Sequence, residues 1–301
     1  MSAQNFADWV PEEWGGPVIN KIAETSAVEA LARTEAMGTD TKHVLRSAGM
    51  GFQGAIAKSE AYPEATGVND EVLLTARKFG AVVRIADEDM KDTAGLVNLI
   101  QQKQLEWARG HAIGFDNACL GVTNETPNGS TVPFLSLYAA LHSTNNDTGY
   151  TAEANIVETD GALTYATLSA AFELVETSDY YNEGSMVVIA HPSFKARLRE
   201  ITGVVSDGDG GVVSDHRPVF EEHSRLGTGA PDRIFGVPVR WTLGAKTNAT
   251  AGSAPTGNPL LFVGNRELLI KGARSGPEYM VAGADTGAAF LTDEALLKMR
   301  I

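Results

Sequence analysis

The stretch GMGFQGAIAKSEAYPEATGVND (residues 49–70), followed by EVLLTARK (71–78) and FGAVVRIA (79–86), decides how this chain is read. In the last run Phe79, Ala81, Val83 and Ile85 alternate onto one side, the period of a half-buried strand. The first run is of another kind, with glycines, charges and the turn-forming pair Tyr62-Pro63. Two strands running out to a tip near Pro63 make a long hairpin, and its Lys58, Glu60, Glu64 and Asp70 cannot all be buried. A two-stranded hairpin is only marginally stable by itself in water. The segment is therefore either an exposed loop or an arm that lies on another subunit.

Outward from the hairpin, residues 93–120 (TAGLVNLIQQKQLEWARGHAIGFDNACL) are the longest helical candidate. Val97, Leu105, Ala108, Ala112, Phe115 and Cys119 share one stripe, and Asp92 or Thr93 suits the cap. Such a helix spans about 42 Å, with Gly95, Gly110 and Gly114 weakening it locally. Upstream, residues 1–16 carry Trp9 and Trp14 without periodicity and read as an extended arm, packed on its own domain or on a neighbour. Helical spacing runs from Pro17 to Leu31, with Thr25 and Ser26 as a point of interruption. Downstream, 121–160 reads mainly as connection, followed by a helix over 164–177, a strand at Met186–Ala190 and a helix beginning at Pro192. His191, just before it, reads as a cap. The strings SDGDGG and GTGAP within 203–231 predict a long mobile loop. The runs IFGVPVRWTL (234–243) and PLLFVGNRELLIKG (259–272) and the stretches at Tyr279 and Glu294–Met299 close an α+β chain.

The chain has 301 residues, 43% of them hydrophobic, enough for a sizeable core and roughly two domains. Its 24 basic and 38 acidic residues leave a net charge of −14. That charge argues against a broad basic face for nucleic acid, while an acidic wall would leave enclosed DNA free to move. The single cysteine, Cys119, excludes an intramolecular disulfide and a cysteine zinc cluster. It falls on the apolar stripe and reads as core. No apolar stretch reaches the roughly 18 residues of a membrane helix, and the N-terminal residues lack the pattern of a signal peptide. Phosphate-loop, dinucleotide and nucleophile-elbow motifs are absent, so no cofactor is expected. In HRPVFEEH (216–223), His216, Glu221, Glu222 and His223 cluster as the nearest approach to a metal site, without zinc-protease spacing. Asp207 and Asp209 resemble the start of a calcium loop, but Pro218 stands where the required glutamate belongs.

Several strings, in their order, resemble the major capsid proteins of tailed bacteriophages with the Hong Kong 97 fold. EEWGGPVINKIAETSAVEALAR (12–33) looks like the segment joining an N-terminal arm to the body. DEVLLTARKFGAVVRIADEDMKD (70–92) looks like the returning strand of the extended loop and the approach to the spine helix. MVVIAHPSFKARLRE (186–200) and IFGVPVRWT (234–242) are similar to the centre of the axial domain, and NPLLFVGNRELLIKG (258–272) to the peripheral domain.

The resemblance implies an N-arm at 1–16, the start of the peripheral domain at 17–48 and an extended loop at 49–80. It also implies a peripheral domain at 81–154 with the spine helix 93–120, an axial domain at 155–258 and a return at 259–301. It implies self-assembly into pentamers and hexamers of an icosahedral head shell around double-stranded DNA bound without sequence specificity. Trp9, Trp14, Lys58, Glu60, Pro63, Glu64 and Arg77 become candidate inter-subunit contacts, and Asp207, Asp209, His216 and Glu222 candidate axial-loop residues. Gly49, Gly51, Gly54 and Gly80 become flexible joints. With Met1 close to the N-arm, a separate scaffolding protein is expected, beside a portal and a possible decoration protein, with no membrane partner. Lys58 lies where some members form a crosslink, but no asparagine and glutamate pair aligns with it, so no crosslink is expected. An encapsulin-like shell protein is the nearest alternative. A cytoplasmic metal-dependent enzyme using His216, Glu222 and His223 is the alternative of another class.

Overall fold

A computed structural model describes residues 25–47, 54–62, 64, 69–93, 98–129, 131–146, 148–159, 161–206, 212–223, 230–283 and 293–301. In chain order the elements are α1 (Ala27–Leu31), β1 (Arg33–Ala36), β2 (Thr41–Ser47), β3 (Asn69–Thr75), β4 (Gly80–Ala86), α2 (Asp87–Thr93), α3 (Leu99–Leu120), α4 (Leu137–His142) and α5 (Tyr165–Glu176). They continue as β5 (Met186–Ala190), α6 (Phe194–Leu198), β6 (Thr202–Ser206), β7 (Val212–Pro218), β8 (Phe220–Glu221), β9 (Arg233–Ile234), β10 (Val237–Trp241), β11 (Leu261–Asn265), β12 (Ile270–Ala273), β13 (Glu278–Ala282) and β14 (Glu294–Arg300). The chain forms two compact units, one drawn from Phe79–Ala112 and Pro277–Ile301, the other from Ser26–Lys78 and Ile113–Gly276. Among the described residues no helix is long and apolar enough to cross a membrane.

In the first unit β14 lies between β13 and β4, all antiparallel. Register places Ala81, Val83 and Ile85 opposite Met299, Leu297 and Ala295. The three β14 residues and Ile85 are buried, so the alternation read from the sequence faces the core. Gly80 is not a free joint. It opens β4 opposite Arg300, and a Cβ there would stand 2.9 Å from the Met299 carbonyl oxygen. On α3, Trp107 meets Tyr279 edge-to-face at 6.0 Å, and Phe79 meets His111 likewise at 5.6 Å.

The long helix is shorter than the sequence suggests. Its 22 residues span about 33 Å. Asn98, rather than Asp92 or Thr93, caps it, accepting from the Gln101 N–H at 3.2 Å. Thr93 instead ends the separate helix α2, and Val97 lies outside the described residues. Leu105, placed on the apolar stripe by periodicity, is 58% exposed. Gly110 and Gly114 leave the helix unbroken.

The second unit is built on a five-stranded sheet in the order β11-β5-β10-β9-β8. Every residue of β5 is buried, as an uninterrupted apolar run in a central strand should be. Leu168 and Phe172 of α5 pack on it with Leu198, Ile201, Val219, Phe220, Ile234 and Val239. The predicted helix at 164–177 holds because Thr164 and Thr167 make a reciprocal cap at its start. β9 and β10 turn at Phe235 and Gly236, both with positive φ, 49° and 79°. This is the turn geometry that suits the twist of a tight hairpin.

One expectation is overturned here. Residues 203–231 are not one long loop, because β6 and β7 pair as an antiparallel hairpin, with Val205 opposite Val213 and Ser206 opposite Val212. The valines either side of SDGDGG carry the strand preference, and the glycines serve the connection between them.

Candidate assembly surfaces

β2 and β3 pair over seven positions, from Thr41 opposite Thr75 to Ser47 opposite Asn69, and among the described residues no third strand joins them. The outgoing strand thus starts before the 49–70 segment, which leaves 54–62 as an irregular excursion. At the base the hairpin is anchored. Lys42 donates to the Glu35 carboxylate and to the Ala36 carbonyl, both at 3.0 Å. The Lys42 ammonium holds the Glu35 carboxyl below the usual carboxylate range. Farther out the apolar side chains are bare. Leu45 is 85% exposed and Leu73 53%, on the face that also carries His43 and Glu71, which pair at 3.0 Å. Tyr62, in the excursion, is 86% exposed.

The candidate contacts distribute as follows. Lys58 and Glu64 are exposed, and Lys58 stands in a turn with Ser59 at φ 74°. Glu60 closes that turn through the Ala57 N–H at 3.3 Å. Arg77 is exposed, with its guanidinium over Gly129. Trp9, Trp14, Pro63, Asp207 and Asp209 lie outside the described residues. His216 belongs to strand β7 rather than to a loop.

Glu222 is held by Arg199, whose Nε and Nη2 donate to its two oxygens at 3.1 and 2.6 Å. That bond to Glu222 raises the guanidinium pKa further. His223 Nδ1 faces the Glu221 carbonyl at 3.4 Å, so Glu222 and His223 are engaged separately. Among the described residues no three His, Cys, Asp or Glu side chains converge as metal ligands. One helical turn before Arg199, Lys195 pairs with buried Asp232 at 3.2 Å and lies over the Trp241 ring. Trp241 Nε1 donates to the same carboxylate at 2.8 Å. The N-cap of α6 is Ser193 rather than His191, whose Nδ1 accepts from the Ser193 N–H at 3.2 Å and so braces the turn before the helix. Burial, and then the charge of Lys246, lower its pKa.

Sequence reading missed a fully buried polar knot around Asp116. Its carboxylate accepts from the Ser26 hydroxyl (2.5 Å), the Ala27 and Val28 N–H groups (2.9 and 3.1 Å) and the Thr242 hydroxyl (2.6 Å). Ser26 in turn accepts from the Glu29 N–H at 3.1 Å, so the first three N–H groups of α1 all find acceptors. Asn117 donates to the carbonyls of Gly244 and Lys246 at 3.1 and 2.8 Å. Gly244 is required by closeness, since a Cβ there would stand 2.6 Å from that of Asp116. Beside the knot, Cys119 packs at the edge of the core. Burial above all, and then Asp116, push its thiol up, which keeps it protonated.

The described residues of the second unit thus hold a buried internal latch and a hairpin with bare apolar side chains. The fold is similar to that of several solved structures. A chain of Mycobacterium phage Bobi is 15% identical with a TM-score of 0.66, over 98% of this chain and 88% of its own. One of Microbacterium phage Oxtober96 is 15% identical with a TM-score of 0.61, over 98% and 89%. The capsid of an empty GTA particle, computed with C5 symmetry, is 14% identical with a TM-score of 0.59, over 98% and 90%. No curated protein matches the chain. The fold is the Hong Kong 97-like fold of capsid proteins. The sequence profile of the phage capsid family matches residues 7–271, and the chain belongs to that family. It is a major capsid protein, a structural component of the virion that forms the head shell.

Proposed function

We propose that copies of this chain assemble as pentamers and hexamers of an icosahedral shell enclosing double-stranded DNA. The observation that carries the reading is the β2–β3 hairpin. It has two strands, an anchored base and bare Leu45 and Leu73, a construction that becomes stable only when covered. In this reading residues 49–80, led in by β2, reach onto an adjacent copy, and residues 1–16 do the same as an N-terminal arm. Helix α3 (Leu99–Leu120) forms the spine, 17–48, 81–154 and 259–301 the peripheral domain, and 155–258 the axial domain. Lys58, Glu60, Glu64 and Arg77 offer charge for the contacts with neighbours. Asp207, Asp209, His216 and Glu222 belong to the axial edge. The net charge of −14 favours a wall that holds DNA without gripping it. A separate scaffolding protein, a portal and a decoration protein are the further partners, and assembly takes place in the host cytoplasm.

Size-exclusion chromatography of the expressed chain, with electron microscopy of the excluded peak, tests this. Closed shells or capsomer rings are expected, and native particles should contain DNA. A monomer or dimer that persists in the presence of scaffolding protein would overturn the reading.

A further inference from the structure

We infer that Arg199 and Glu222 are positioning residues that aim the β6–β7 hairpin at a neighbouring copy of this chain; the inference rests on the assembly reading above. Arg199 stands just before β6 begins at Thr202, and Glu222 just after β7 ends at Pro218. Their two-pronged hydrogen bond therefore joins the two legs of the hairpin at its base. On the inner side of that base, Leu198 and Ile201 on one leg and Val219 and Phe220 on the other are buried in the core of the sheet. Lys195 and Asp232 make a second charged rung one helical turn further back.

The two kinds of contact do different things. Apolar packing holds the legs together, but it is not directional. A planar guanidinium on a carboxylate fixes direction as well as distance. Direction matters here because, among the described residues, β6 and β7 pair with each other and with no third strand, and a shift of register interrupts the ladder between Thr202 and Val204. A two-stranded ribbon leaving the core takes its orientation from its base. The pair sits at the rim, with Glu222 15% and Arg199 44% exposed, so it contributes little to folding. Its geometry serves what the hairpin meets outside the subunit. In a shell the same contact recurs many times, so a small misalignment is multiplied.

The test uses the full chain as Arg199→Ala, Glu222→Gln and the exchanged pair Arg199→Glu with Glu222→Arg. Thermal unfolding of the unassembled subunit and the yield of closed shells are measured side by side. Each single variant should unfold within about 2 °C of wild type yet give about fivefold fewer closed shells. The exchanged pair should recover about half of the wild-type yield or more. Single variants that assemble like wild type would overturn the inference. So would an exchanged pair no better than the singles, or singles whose unfolding temperature falls in step with their yield. Glu222→Gln keeps shape and volume, so a folding failure of Arg199→Ala leaves the test standing. A wild-type chain that forms no shells overturns the assembly reading itself, a different outcome from any of these.

Discussion

Asp116 and Leu45 belong to the same compact unit and occupy environments opposite to their chemistry. The carboxylate is fully buried, and the leucine is 85% exposed. A buried carboxylate is costly unless its oxygens are satisfied, and Asp116 receives four hydrogen bonds. Those bonds tie the start of α1 and the turn after β10 to one point on α3. Among the described residues Leu45 packs against no such partner. The unit thus places directional polar bonds where its own parts must meet in one way. It leaves nondirectional apolar surface on the hairpin, where the proposed assembly would seat another copy in several symmetry positions. If that contrast is right, changes at the knot should damage the subunit, and changes on the hairpin should spare it.

The largest expected effect is at the knot. Asp116→Ala strands two hydroxyls and two backbone N–H groups in the interior and should cost about 3–5 kcal/mol. Urea unfolding of the unassembled subunit measures it, and Asp116→Asn, which keeps some acceptors, should cost visibly less. A cost under about 1 kcal/mol for the alanine would mean the knot is not a joint. Gly244→Ala comes next. Its Cβ would press on Asp116 and on the Ile113 carbonyl, at 2.6 and 2.7 Å, so about 1–3 kcal/mol of overpacking is expected in the same experiment.

How much of this was legible follows from distance along the chain. The strand Met186–Ala190 and the helix over 164–177 were readable because their signals are local: an apolar run, and apolar residues three and four apart. The alternation of Phe79 to Ile85 likewise predicted which side of β4 is buried. The knot was unreadable because Ser26 and Thr242 meet Asp116 across 90 and 126 residues. Nothing near DNA at 116–118 distinguishes it from an exposed polar turn of a helix. The β6–β7 hairpin was missed for another reason. Glycine and aspartate in SDGDGG dominated the reading, and the valine pairs that carry the strands were too short to compete. The hairpin was legible in part: the charges of 49–70 read as a segment without a core of its own, loop or arm, but the outgoing strand Thr41–Ser47 lies before that range.

His191 sharpens the comparison from inside the second unit. Its Nδ1 braces the turn before α6 as an acceptor, which needs the neutral imidazole, and burial followed by the Lys246 charge lowers its pKa from 6.5. The unfolded chain then binds a proton more readily than the folded one. The contribution of this hydrogen bond is intact above about pH 6.5 and is lost as pH falls through the folded-state value. Subunit melting temperature should therefore drop between pH 7 and pH 5 in wild type, and drop less in His191→Gln. Equal slopes would mean that the imidazole is not the titrating group.

The smallest effect on the subunit is expected on the hairpin, and it is the most informative. Leu45→Asp and Leu73→Asp place charge on surface already in water, so subunit stability should move by no more than about 0.5 kcal/mol. If a second copy covers that face, the same changes bury an unpaired carboxylate at every repeat of the contact. Shell yield, read by sedimentation and microscopy, should then collapse while the unfolding curve stays put. A variant that loses both would place Leu45 and Leu73 among the subunit's own stabilising contacts. A variant that loses neither would leave the hairpin facing solvent in the finished shell. Only the split between the two measurements fits a surface built for a neighbour.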